Sequence, residues 1–544
     1  MDDRLCHTLP SRFALTVSRL QEASVNGTAI VTFADVNLAT FALNWARLLR
    51  MLNLKSLIGI ARRTGGQGMT NIDRGLEEEA TSARASLFCA DGPLMALNGQ
   101  AGRWAEVLPL LQLARRAQLS VLLSDADIAW MRDPLPYFAA VRSAHPRADV
   151  LMMTDRAFNG YSSKPLSVQP QGQTDSIDLE LEPGFESSIS YNIGVIWFKM
   201  ESLEQLEGMV ARFVVAVGGR LADTTNSAGG KGDSRVRARP HAVKPIATRR
   251  GSAGAGGEGK ESRAHGLSML SGRALLGRVL FGDEGWPSER PGRRLGQLSS
   301  WDQEPINKEV LQRGLRHDSN DARLVRVDQG RLAMGVLPML QFTTSFTYYM
   351  QQKRRESLRA RPYCLHVSFV HCKDEGAAPS SLTLTLTQTL PEVIFAHGKD
   401  KERKLSIFRE EKLWVDPPSY YDPDGGHGKL LVLDHLPLPE KIRVAGGFDM
   451  ILTQHQQVHM AFRLAALTNR TLVLPRFRCG ERPMAYPCYA WYHRAMAYFG
   501  INPDKVPMPE YCPMYYWIDV GRLGAAKVST QEPWWLFDGA LMAP

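Results

Sequence analysis

The chain has 544 residues, of which 44% are apolar and 22% charged, with a formal net charge of +9. That length exceeds one ordinary core, so one large domain with extensions, or two to three domains, is expected. The composition excludes a fibrous or wholly disordered chain.

The positive charge is local. Residues 231–294 hold 14 Lys/Arg and 6 Asp/Glu, a net of +8, so the rest of the chain is close to neutral. This Gly/Ala/Arg-rich stretch reads as a solvated insertion. Nucleic-acid binding would need a basic face with aromatic or motif support, and none is present, so no nucleic-acid partner is expected.

In chain order, residues 28–35 (TAIVTFAD) form a short apolar, β-branched run expected as a buried strand. An amphipathic helix follows through FALNWARLLRMLNL, then a second strand, SLIGIA. This strand–helix–strand rhythm predicts a parallel α/β sheet. Residues 103–118 (RWAEVLPLLQLARRAQ) carry apolar positions at helical spacing and lead into SVLLSDADIAW, a buried strand ending in acids. A helix from DPLPYFAAV, a strand in ADVLMMTD, a strand at residues 189–199 (ISYNIGVIWFK) and a helix in SLEQLEGMVARFVVAV complete the first part.

Residues 220–297 break the rhythm and are expected to be disordered. Beyond them, WDQEPINKEVLQRGL predicts a helix, LAMGVLPMLQF and TYYMQ extended segments, and PYCLHVSFV a strong strand. A Ser/Thr/Leu run within 373–397 reads as a second insertion. Near the end, FDMILTQHQQVHMAFRLAALTNRTLVLP predicts a helix of about four turns and a strand. Asn469-Arg470-Thr471 is a glycosylation sequon by pattern, although its place before an apolar strand equally suits packing. The last 65 residues, rich in Pro, Tyr and Trp, show little regular pattern.

Seven cysteines without a CxxC pair argue against a disulfide scaffold and a structural zinc site. Cys479, Cys488 and Cys512 cluster in the tail, where one disulfide would suit an oxidising lumen. No apolar run reaches the ~18–20 residues of a membrane span. The expectation is a soluble chain or one lacking a membrane anchor.

The strongest chemical signal is VLLSDADIAWMRDPLPYF, residues 121–138. Asp125 and Asp127 sit two apart, on one face if the chain is extended there. Two carboxylates on one side offer hard oxygen ligands to Mn²⁺ or Mg²⁺. Such an ion would offset diphosphate charge and stabilise a departing nucleotide diphosphate. The plainer alternative is a strand-to-turn junction with solvated acids. Against it stands the position at the carboxyl end of a buried strand, where ligands of open α/β sheets gather.

LLSDADIAWMRDPLPYF resembles the metal-binding segment of glycosyltransferase family 77, a family of nucleotide-diphospho-sugar transferases. Further segments resemble that family in order: FALNWARLL, HPRADVLMMTD, SYNIGVIWFK, WDQEPINKEV, GVLPMLQF, PYCLHVSFVH, REEKLWVDPPSYYD and LTNRTLVLPRFRC. Together they cover roughly residues 28–215 and 300–520, and the last two resemble the arabinosyltransferase branch. The resemblance implies a GT-A-like α/β fold with a mixed, mainly parallel sheet flanked by helices. It divides the chain into residues 25–219 (nucleotide-sugar-binding part), 220–299 (basic insertion), 300–425 (second catalytic part) and 426–544 (C-terminal α/β extension).

The resemblance also implies residue roles. Asp125 and Asp127 would bind metal and donor, with His366 completing the coordination; a lone His on an apolar strand is otherwise a satisfied core residue. Asn192 would present its amide near the transferred sugar, or bond a neighbouring turn. Asp302, Gln303 and Glu304 match an element near the sugar, where Asp302 also suits a helix N-cap. Thr32 and Ala34 would lie near the nucleotide base. Lys399 and Lys404 would neutralise donor phosphate, unless they are ordinary surface lysines.

The implied reaction is metal-dependent, retaining transfer of a pentose, L-arabinofuranose, from a UDP-sugar to a glycan or hydroxyproline-rich glycoprotein in the Golgi. Three departures favour an alternative, a degraded relative that binds without transfer, one being the 373–397 insertion that follows His366. The chain reads Thr344-Ser345-Phe346-Thr347-Tyr348 where the family carries Ser-Gly-His-Thr-Tyr, and ARRTGGQG follows SLIGIA where an acid is usual. A Mg²⁺ phosphohydrolase is a weaker alternative, because no nucleophile or second metal cluster is recognisable.

Overall fold

The structure is a computed structural model. It describes residues 13–34, 38–61, 74–90, 103–154, 180–182, 191–214, 306–307, 311, 315–368, 400–416, 420, 429–433, 438–445, 447–479, 511–516, 518 and 530–532. Residues 1–219 and 299–544 form one compact unit, and 220–298 a second that lies outside the described residues, as does the 373–397 segment.

The fold is mixed α/β around one large sheet. In chain order its strands are β1 (Thr28–Ala34), β2 (Ser56–Ala61), β3 (Ala85–Ala90), β4 (Ser120–Asp125), then, after the short β5 (Ile128–Trp130), β6 (Val150–Thr154), β7 (Tyr191–Phe198), β8 (Arg316–His317), β9 (Leu324–Val327) and β10 (Leu332–Val336). Across the sheet they run β3-β2-β1-β4-β7-β6-β10-β9-β8. The β3-β2-β1-β4 half is parallel. β7 runs against both β4 and β6, and β10 returns parallel to β6.

The near-continuous apolar runs suit such a sheet because both faces are covered. β7 is buried at all eight positions. Successive residues alternate between two cores: Ala29, Val31, Val121 and Leu123 pack on one face with Trp104, and Ile30 and Leu122 pack on the other with Trp45. Each fully buried aliphatic side chain contributes roughly 1.5–3 kcal/mol.

A second sheet, β11-β12-β5, joins β11 (Phe342–Thr344) and β12 (Cys364–His366) to β5. Its rings interlock: Tyr137 lies 5.2 Å from Phe342 and 5.3 Å from Tyr363, centroid to centroid. In the C-terminal part, β13 (Leu430–Val432), β14 (Thr471–Val473) and β17 (Thr530–Gln531) form a parallel sheet, and β15 (Phe477–Arg478) pairs with β16 (Tyr511–Cys512). Cys479 and Cys512 are disulfide-bonded, as is Cys89. No helix among the described residues is long and apolar enough to cross a membrane.

Several expectations need correction. TYYMQ is not extended: Ser345–Met350 is a helix whose N-cap, Thr344, accepts from the Thr347 N–H. Among the described residues of PYCLHVSFV, 362–368, the strand spans the three residues of β12, which pair with β11 on one side and β5 on the other. The C-terminal helix spans 22 residues, Gly447–Thr468, about six turns rather than four. The strand through SVLLSDADIAW is broken: Ala126 and Asp127 form a turn between β4 and β5.

Candidate metal centre

β4 rises from the sheet and ends at Asp125, beside Phe33 of β1. The turn at Ala126-Asp127 redirects the chain into β5, which pairs antiparallel with β12 and sets His366 opposite Ile128. The Val367 N–H donates to the Asp127 carbonyl at 3.2 Å, closing the ladder beside the turn. The two acids are therefore brought together by a turn held against β12, rather than by strand alternation.

His366 Nε2 lies 3.5 Å from Asp125 Oδ2 and 3.5 Å from Asp127 Oδ1. One ligand atom from each of Asp125, Asp127 and His366 falls within 4.8 Å of the others. Ligands about 2.1 Å from one octahedral ion stand about 3 Å apart in cis and about 4.2 Å in trans. Two oxygens and one imidazole nitrogen at this spacing fit Mn²⁺ or Mg²⁺ by donor type and separation.

The imidazole is oriented from behind. Its Nδ1 lies 3.1 Å from Asn192 Oδ1, on β7, and the same amide oxygen accepts from the Gly194 N–H at 2.7 Å. An amide oxygen accepts only, so Nδ1 carries a proton and Nε2 is left to face the carboxylates. Gly194 makes room for this, since a Cβ there would come within 2.4 Å of Nδ1.

Lys404, on the helix Asp400–Glu410, reaches in and ion-pairs with Asp127 Oδ2. Burial opposes ionisation of Asp127, but Lys404 and His366 outweigh it and hold its pKa far below the usual carboxylate range. Burial likewise opposes charge on His366, yet the Asp127 and Asp125 carboxylates raise its pKa above the ordinary value.

Of the other residues singled out from sequence, Thr32 and Ala34 lie at the end of β1, with Thr32 in register with Ser124. Thr32 is fully buried, and its hydroxyl has no hydrogen-bond partner among the described residues. Asp302, Gln303, Glu304 and Lys399 lie outside the described residues. Nearby, Asn307 clamps Tyr191 through both backbone groups, at 2.8 and 2.9 Å, fixing the start of β7 next to Asn192.

Sequence reasoning missed three supporting residues. The Trp45 indole N–H donates to Ser124 Oγ at 2.7 Å, one residue before Asp125. Asn44 donates to the Leu413 carbonyl at 2.9 Å and accepts from the Val415 N–H at 2.8 Å, tying the helix Ala39–Met51 to the segment after Lys404's helix. Gly194 was hidden because a strand glycine gives no hint of which ring lies against it.

The nucleotide-diphospho-sugar transferase family matches residues 109–201, which carry β4, the Asp125–Asp127 turn, β5, β6 and β7. Arabinosyltransferase XEG113 of Arabidopsis thaliana is 23% identical over 477 residues, covering 86% of this chain and 53% of that protein. The chain thus spans about half the length of this curated relative. Partial structural likenesses include WbbM, a bifunctional glycosyltransferase (TM-score 0.23, 16% identity, 35% of this chain and 34% of that one). The galactosyltransferase LgtC gives a TM-score of 0.21 at 14% identity, over 32% of this chain and 59% of that one. Mouse xyloside xylosyltransferase 1 gives 0.21 at 10% identity, over 34% and 71%. Residues 109–201 thus match the nucleotide-diphospho-sugar transferase family, and most of the chain is similar to a plant arabinosyltransferase.

Proposed function

We propose that this protein is a metal-dependent, retaining glycosyltransferase that moves a pentose, L-arabinofuranose, from a UDP-sugar to a glycan or hydroxyproline-rich glycoprotein. The observation that carries the reading is the convergence of Asp125, Asp127 and His366 beside a lysine at the carboxyl end of β4. Those three side chains would hold Mn²⁺ or Mg²⁺, which supplies Lewis-acid stabilisation of the departing diphosphate. Asn192 keeps the His366 proton on Nδ1. Lys404, on leaving Asp127, offers its ammonium to a phosphate oxygen.

Among the described residues no carboxylate besides Asp125 and Asp127 stands at the site as a nucleophile, so the retaining route is same-face attack assisted by the leaving phosphate. The protein's main work is then to orient donor and acceptor. Thr32 and Ala34 are assigned to the base end of the donor, Asn192, Asp302, Gln303 and Glu304 to the sugar end, and Lys399 to phosphate. The likeness to a plant arabinosyltransferase supports the pentose, and the Cys479–Cys512 disulfide suits an oxidising compartment such as the Golgi lumen.

The test is a UDP-sugar screen with and without Mn²⁺, followed by Asp127→Ala. Transfer from UDP-arabinofuranose is expected, dependent on Mn²⁺ and lost in Asp127→Ala while circular dichroism shows the fold retained. Wild-type transfer by that variant overturns the reading. A second reading, a relative that binds nucleotide sugar without transfer, draws on the Lys404–Asp127 ion pair, which sets an internal cation against the metal site. Donor binding with neither transfer nor hydrolysis would favour it.

A further inference from the structure

A cavity lined by none of the metal-centre residues has no part in the chemistry described so far. It is a cavity of about 80 Å³ between the helix Ser345–Met350, the end of the helix Asp400–Glu410, and the β15/β16 pair. Its walls are aromatic and polar at once. Tyr348 and Tyr349 donate to the two oxygens of Glu411 at 2.9 and 3.0 Å, and the Arg355 guanidinium lies 4.0 Å over the Tyr348 ring. On the opposite wall Tyr511 faces Arg476, which is exposed, at 5.7 Å.

The cavity's position follows from helix geometry. Glu411 lies seven residues beyond Lys404, and its N–H donates to the Ile407 carbonyl at 3.0 Å, continuing the helical turn. Seven residues make almost two full turns, so both side chains leave the same face, about 10 Å apart along the axis. From the other side, Thr344 is in register with His366, and Tyr348 lies one turn into the helix that Thr344 caps. Two independent elements thus run from the metal centre to this cavity.

We propose that this cavity is an acceptor subsite that takes a neutral sugar ring of a glycan acceptor, beyond the ring that receives the transferred sugar. The inference rests on the transferase reading and names part of its acceptor. Guanidinium-capped tyrosine rings, a fixed carboxylate and an exposed arginine offer ring edges and charged hydrogen-bonding groups to a sugar's C–H and hydroxyl groups. A spacing of about 10 Å along the helix suits a ring separated from the reacting one by the length of a short oligosaccharide.

The test is calorimetric binding of an arabinofuranose monosaccharide, the matching trisaccharide and an unglycosylated hydroxyproline-rich peptide to the full chain with Mn²⁺ and UDP. The trisaccharide is expected to bind at least about tenfold more tightly than the monosaccharide. That advantage is expected to disappear in Tyr511→Ala and in Arg476→Gln, the latter an exposed change that leaves the wall's packing intact. Equal affinity for both saccharides, an intact trisaccharide advantage in both variants, or tight binding of the bare peptide without the trisaccharide would each overturn the proposal. Loss of Mn²⁺-dependent UDP binding in the wild-type chain would instead defeat the transferase reading, which separates the two failures.

Discussion

Asn192 on β7 and His366 on β12, 174 residues apart in sequence, meet through a 3.1 Å contact between Oδ1 and Nδ1 that settles which imidazole nitrogen faces the two aspartates. The contact is buried on both sides, with Asn192 2% and His366 6% exposed. Replacing Asn192 with Ala removes the acceptor and frees the ring to turn or change tautomer. Partners of this kind typically change metal affinity by roughly 10–100-fold. We expect Asn192→Ala to weaken Mn²⁺ binding by about that factor while secondary structure by circular dichroism is retained. Wild-type Mn²⁺ affinity in a calorimetric titration would remove Asn192 from this role.

Much of this centre was legible in the sequence, and the illegible part has a physical cause. The acids of LLSDADIAW, the buried strands and the alternation of helix and strand all carry local signals: apolar runs, β-branching and periodicity. The way Asp125 and Asp127 converge was misread, because a turn at Ala126-Asp127 and a continued strand predict the same apolar flanks. Only the pairing of β5 with β12, set by Cys364, Leu365 and His366 opposite Trp130, Ala129 and Ile128, distinguishes them. TYYMQ was misread because aromatic and β-branched residues favour strands, whereas the Thr344 cap starts a helix. The Asn44 and Trp45 contacts span 369 and 79 residues, and no local pattern reports them.

A metal ion held by Asp127 would compete with Lys404 for the same carboxylate. The Lys404–Asp127 pair is mostly buried, with side chains 19% and 12% exposed. Lys404→Met keeps the aliphatic stem but leaves two carboxylates facing each other beside one imidazole. Removing one partner of a fully buried pair costs about 3–5 kcal/mol, and here His366 remains, so a loss of about 1–3 kcal/mol without metal is expected. The folded pKa of Asp127 is depressed, so its contribution is present above the unfolded value of 3.8 and is lost as pH falls. Lys404→Met should therefore unfold at higher pH on acidification than wild type. Mn²⁺ should raise the melting temperature of the variant more than that of the wild type, while UDP affinity falls. An equal Mn²⁺-induced shift in both proteins would refute the competition.

Glu410 carries the clearest pH signature outside the metal centre. Burial pushes its carboxyl up to about 8, offset in part by the Met514 N–H and the Ser406 hydroxyl, with neighbouring Glu411 and Glu532 raising it further. A raised carboxyl pKa means that the folded state holds the proton more tightly than the unfolded chain. Its stabilising effect is complete below the unfolded value of 4.5, declines as pH rises and is gone once pH passes about 8. The strain should appear where Met514 packs, so amide protection factors at 511–516, corrected for the intrinsic exchange rate, should fall as pH rises from 4.5 to about 8. Glu410→Gln, neutral throughout, should flatten that dependence. A profile unchanged by the substitution would show that another group titrates there.

The Cys479–Cys512 disulfide closes a loop with a sequence separation of 33 and joins the ends of the two strands that carry Arg478 and Tyr511. Chain-entropy arguments give about 3–4 kcal/mol for a loop of that length. Those two strands share only two residue pairs, Phe477 with Cys512 and Arg478 with Tyr511, so backbone pairing alone is too short to hold them. Cys512→Ser should therefore release the Tyr511 wall locally before it unfolds the main sheet, whose strands lie elsewhere in the chain. Hydrogen exchange would resolve this directly: protection lost at 477–479 and 511–516, with β1 and β4 amides unchanged. Trisaccharide affinity should fall together with that protection while Mn²⁺-dependent UDP binding persists, since the metal ligands reside on β4, its following turn and β12. Uniform loss of protection across both regions would mean that the disulfide supports the whole fold, and the cavity wall would then have no independent stability to lose.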